Sequence, residues 1–155
     1  MRAKGITART RAAKSRKLKA VERDRMQEVR EREDYTCRFP HQCGLTIEVS
    51  HQKHRGMGGD PTGECSDPKI MIGVCGVIHR TGRIALDKKN LRWVALTDSG
   101  ANGPIAWHVK LGSVPGFVGD GDDWVLVASE SDRGRLAPPL DVHRILLAAI
   151  AKANA

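Results

Sequence analysis

Residues Ile47 to Gly59 read IEVSHQKHRGMGG. His51 and His54 stand three residues apart beside Lys53 and Arg55, and glycines follow at positions 56, 58 and 59. Imidazole changes charge near neutral pH and binds metals. Lysine and arginine neutralise anions, and glycine lets a backbone come close to a ligand. So much imidazole, positive charge and loose backbone in one short stretch marks a candidate site.

A second chemistry comes from four cysteines, Cys37, Cys43, Cys65 and Cys75. Nothing in the sequence suggests secretion, so disulfides are not the expected use. Thiolates bind zinc, and four sulfurs satisfy its tetrahedral preference. The spacing, C-x5-C followed by gaps of 21 and nine residues, departs from a double C-x2-C pattern. Pro40 lets CRFPHQC turn tightly enough to bring two sulfurs together, and His41 is available in place of one sulfur. We expect a structural Zn²⁺ on at least Cys37, Cys43 and Cys75, with Cys65 as the further candidate. Small buried thiols without a metal are the alternative.

The elements that must hold these residues follow from periodicity and punctuation. Ala13 to Asp34 contains no Gly or Pro and reads as a charged helix with a thin apolar stripe of Leu18, Val21, Met26 and Val29. Leu45–Val49 reads as a short strand, Gly56–Pro68 as a loop, and Lys69–Cys75 as an apolar run into the last cysteine. Three strand-like runs follow, Asn90–Thr97, Pro104–Leu111 and Asp123–Ser129, divided by Gly-rich turns that suggest a small antiparallel sheet. Pro138-Pro139 opens a C-terminal helix expected to pack on that sheet. His108 and His143 sit in strand and helix contexts and read as structural or solvated. The sequence thus divides into a basic arm and charged helix (1–34), a cysteine- and histidine-rich core (35–89), and a sheet plus helix (90–155). Its class is α+β, and 155 residues suffice for one domain with tails.

The net charge of +8 is unevenly placed. Residues 1–20 carry Arg2, Lys4, Arg9, Arg11, Lys14, Arg16, Lys17 and Lys19 without an acid, and the remaining 18 basic residues match the 18 acidic ones. Such an arm suits phosphate neutralisation and counterion release on a nucleic acid. It lacks the large apolar side chains of an interfacial membrane anchor. No apolar run approaches the roughly 18 residues that span a bilayer. The expectation is an intracellular, cytoplasmic protein with DNA as partner and no membrane.

Taken together, CRFPHQC, EVSH, KHRGMGG and VCGVIH resemble the HNH endonuclease family, most of all the small HNH proteins of bacteriophages. The resemblance covers roughly Tyr35 to Arg83, about a third of the chain. It implies a zinc-stabilised ββα-metal core and metal-dependent hydrolysis of DNA phosphodiester bonds. His51 matches the family's general base and His79 its final metal-binding histidine, with Mg²⁺, Mn²⁺ or Zn²⁺ as the divalent ion. Lys53 and Arg55 would contact phosphates. The sequence departs from the family pattern in three places. Ser50 stands where Asp or His usually ligates the metal, so it would act through a bound water, or His54 would supply the ligand. No Asn lies near Lys69 or Ile70, and Ile78 replaces the second cysteine of the closing knuckle. The resemblance also implies a possible homodimer and a role beside a phage packaging machinery in a host cytoplasm. Two other classes compete: a zinc-stabilised nucleic-acid-binding module without cleavage, and an RNA-binding or structural component.

Overall fold

The computed structural model describes residues 8–41, 43–53, 62–120, 123–130 and 141–155, apart from the side chains of 8–11 and 141–143. A long helix α1 (Ala8–Arg32) opens the chain, beginning well inside the basic arm. Its helix formers run without Gly or Pro, and its stripe is thin because only one edge is covered. Val29 is fully buried and packs with Val49 and Met71, while Lys14, Arg16, Lys17 and Lys19 are exposed.

Strands β1 (Ile47–His51) and β2 (Met71–Cys75) form an antiparallel pair, with Glu48 opposite Val74, Ser50 opposite Ile72 and His51 opposite Met71. Every residue of β2 is buried, as its unbroken apolar run requires of a strand covered on both faces. A five-residue π-helical turn, Val77–Thr81, follows directly.

Strands β3 (Leu91–Ala95), β4 (Ile105–Lys110) and β5 (Trp124–Ser129) make a second antiparallel sheet in that order, with a bulge at Trp107/His108. Helix α2 (Asp141–Asn154) packs on β5 and closes the main core with Leu146 and Ile150. Asn154 fastens its end by accepting from the Ile84 N–H and donating to the Ile84 carbonyl. The class is α+β, with each strand within two residues of the expected run. One core spans the cysteine region and the second sheet: Phe39 sits edge-on to Trp107 at 5.1 Å between centroids, beside Cys75, Ile78 and Leu91.

Candidate functional site

Two groups of chemistry-bearing side chains lie on either side of the β1–β2 pair. The first is built by the segment after α1. There Arg38 donates its N–H to the Gly73 carbonyl, tying the segment to β2. Phe39 drops into the core and Pro40 turns the chain, so Cys37, His41 and Cys43 converge on Cys75 at the end of β2. The four donor atoms lie within 4.8 Å of one another. His41 Nε2 stands 3.3 Å from the sulfurs of both Cys37 and Cys75. Ligands around a tetrahedral zinc at about 2.3 Å would stand about 3.8 Å apart, so this set fits such an ion.

Backbone amides complete the arrangement. The Cys75 N–H reaches Cys37 Sγ at 3.3 Å, and the Phe39 and Ile78 amides serve Cys37 and Cys75 respectively. Without a cation, burial holds the Cys37 thiol up at about 12, raises Cys75, and lowers His41 below the usual imidazole range. Burial disfavours the charged form of each group, and it is the convergence of the four donors that suits a metal. The Cys37–His41–Cys43–Cys75 cluster can therefore hold a metal ion such as zinc.

This corrects one expectation. Cys65 does not join the cluster; it is buried in the short turn Glu64–Ser66, which Arg25 pins to α1 through the Gly63 and Ser66 carbonyls. His41 supplies the fourth donor. Ile78, 1% exposed, packs into the core.

The second group joins Glu48, near the Cys75 end of the strand pair, with His51 at its far end. Alternation puts Glu48 and Ser50 on one face of the strand, toward the π-helical turn that bears His79. His79 Nδ1 lies 2.8 Å from Glu48 Oε2, and Arg80 holds the other Glu48 oxygen. Bonded by His79 and flanked by Arg80, the Glu48 carboxyl is held below its ordinary range and stays ionised. The His79 Nδ1–H therefore donates, leaving Nε2 free of that bond and 3.7 Å from Asp87 Oδ1. Asp87 is fixed there because the Leu86 and Asp87 amides bond the Ile78 and His79 carbonyls. Asn90 clamps the same loop at Arg83 and Ala85.

Asp87 also lines an open cleft with Ser50, His51, Lys89, Arg92 and Trp124. Asp87 is the residue common to the cleft of His51 and the contact of His79. Ser50 is 5% exposed, with little room for a direct role. Lys53 is exposed and paired with Glu64 at 3.1 Å. His54, Arg55 and the three glycines after them lie outside the described residues, as do the side chains of Arg9 and Arg11. Sequence reasoning passed over Glu48 and Asp87. The signal for Glu48 was its position two residues before Ser50 in a strand, which puts both on one face.

Comparison with protein-family models, with curated proteins and with solved structures finds no match to this chain. Among the described residues, no helix is long and apolar enough to cross a membrane.

Proposed function

We propose that this chain is a metal-dependent DNA endonuclease of the HNH type, built on a ββα-metal core in which the π-helical turn stands for the helix. The observation that carries the reading is Asp87, which lines the cleft with His51 and lies 3.7 Å from His79 Nε2. The Cys37–His41–Cys43–Cys75 set is read as a structural zinc site. Four protein donors leave no open position, as is usual for zinc that only folds a chain.

A catalytic metal needs other ligands, and the cleft offers a fitting pair. Imidazole nitrogen and carboxylate oxygen suit a divalent ion. A carboxylate on the far ring nitrogen, as Glu48 provides, is the usual outer partner of a metal-bound histidine. His79 and Asp87 would hold the ion, which when bound neutralises charge on the phosphoryl and departing oxygens. His51, as neutral imidazole, takes the proton from the attacking water. Glu48 keeps His79 in one tautomer and one ring orientation. Lys89 and Arg92 supply positive charge at the cleft for the phosphate backbone.

A second reading is a zinc-stabilised DNA-binding module without cleavage. It is favoured by the buried Ser50, which leaves the strand end without the usual ligand. Plasmid cleavage by the purified protein separates the two, run with EDTA, Mg²⁺, Mn²⁺ or Zn²⁺ beside His51→Ala and His79→Ala. Metal-dependent nicking, lost by about 10²–10⁴-fold in His51→Ala, is the expected outcome. DNA binding without nicking under any metal selects the second reading.

A further inference from the structure

The cations of α1 follow a pattern of their own. Arg16, Arg23 and Arg30 stand seven residues apart, and Lys19 falls between the first two. An α-helix turns about 100° per residue, so a seven-residue step returns to within about 20° of the same direction. The three arginines therefore form one ridge, with Lys19 at its side. From Arg16 to Arg30 it runs about 21 Å along the axis. It is turned roughly 100–140° away from Val29, which seats α1 on the strand pair. Arg25 and Arg32, whose hydrogen bonds also seat the helix, lie on the Val29 side.

Nothing described neutralises these four cations. Arg16, Lys19 and Arg23 are exposed and Arg30 is half-buried. Among the described residues none of the four forms an ion pair. Glu31, next to Arg30, accepts from Gln27 instead. The placement also works against the helix. Arg16–Lys19 and Lys19–Arg23 put like charges three and four residues apart, and the first turn of α1 holds no acid to offset the helix dipole. Anions bound along the ridge would remove that repulsion.

Length and composition narrow the kind of anion. Between the arginines the ridge carries Lys19, Ala20 and Gln27, while Leu18 and Val21 lie on other faces and Met26 packs beside Val29. A protein partner would need apolar anchors at the centre of its contact. A straight row of cations suits a polyanion of even spacing, and one strand of a DNA duplex offers a phosphate about every 3.4 Å of axis, or about six over this length.

We propose that the Arg16, Lys19, Arg23 and Arg30 ridge lies along a phosphate backbone of duplex DNA, while Lys14 and Lys17, on other faces of α1, take no part. The inference rests on the nuclease reading for DNA as the polyanion. It places the contact on one face of a helix reaching to Arg30, rather than on the basic charge of residues 1–20 as a whole.

The test is fluorescence anisotropy of a labelled DNA duplex with the full chain, titrated across salt, for wild type and two variants that remove equal charge. Arg23→Gln/Arg30→Gln takes two cations from the ridge and none from residues 1–20. Lys14→Gln/Lys17→Gln takes two from residues 1–20 and none from the ridge. Glutamine is a good helix former, so both keep α1. The ridge variant is expected to bind about tenfold more weakly, with a log–log salt slope shallower by about 2. The Lys14/Lys17 variant should keep the slope of wild type, and Arg23→Lys/Arg30→Lys should restore it. Phenylglyoxal modification of wild type gives a readout that does not depend on a variant's folding: DNA should protect Arg23 and Arg30. A slope no shallower in the ridge variant than in the Lys14/Lys17 variant, or equal modification of both arginines with and without DNA, overturns the proposal even if cleavage is observed. A shallower slope in the ridge variant of a chain that never nicks upholds the ridge and overturns the nuclease reading. A wild type that does not bind DNA overturns both.

Discussion

The cysteine cluster and the histidine group draw on the same strand pair in different ways: Cys75 ends β2, Glu48 stands one register position away on β1, and His51 closes the far end. In the cluster three sulfurs and an imidazole converge beside Phe39, with backbone amides on the sulfurs. In the histidine group the donors are nitrogen and oxygen, and Asp87 is 49% exposed in a groove. A sulfur-rich set suits a soft ion that holds a chain together. A nitrogen and oxygen set beside a groove offers harder donors. Side-chain chemistry alone would group all these histidines and cysteines together; convergence in the fold separates them.

The sharpest way to break this contrast is to remove the metal expected at the cysteine cluster. Chelation, or Cys75→Ser, should abolish cooperative thermal unfolding, since structural zinc in small domains supplies on the order of 10 kcal/mol. A melting curve indifferent to chelator would make the cluster a group of buried thiols. Glu48→Gln should act only at the histidine group. Cleavage should fall about 10–100-fold, as for other outer-shell partners of metal-binding histidines, with the melting temperature little changed. Equal cleavage would mean that the Glu48–His79 bond is merely structural. Smallest of all, Cys65→Ala should leave one zinc per chain by atomic emission and cost about 1 kcal/mol, the usual size for a core trimming that leaves little cavity. Loss of zinc would return Cys65 to the ligand set.

Much of the fold was legible because its signals are local. The Gly-free charged segment gave α1, the runs between Gly-rich turns gave β3 to β5, and the apolar Met71–Cys75 gave β2. Three of the four cluster donors were legible from thiol chemistry, and His41 from its place inside CRFPHQC. What local pattern cannot supply is register and the path of long loops. The 21 residues between Cys43 and Cys65 could lead anywhere; at Gly63, just before Cys65, Arg25 ties the chain to α1. Glu48 acquires a role only once β1 is aligned on β2 and the following turn brings His79 across. Arg92 likewise meets the Trp124 ring only once β3 and β5 are aligned on β4.

Arg38 sits inside the cysteine segment, yet its guanidinium grips both oxygens of Glu130 at 2.9 and 2.7 Å, with Glu33 at 3.2 Å and the Ala101 and Gly103 carbonyls as further acceptors. Glu130 in turn accepts the Ile105 N–H. A cation 12% exposed needs those partners, because a charge left buried and unpaired costs several kcal/mol. On a ribosome the chain emerges from its N-terminus, and Arg38 appears 92 residues before the carboxylate it requires. The buried cation of the cysteine segment therefore gains its carboxylate only when β5 pairs beside β4, and this ties the two regions into one cooperative unit.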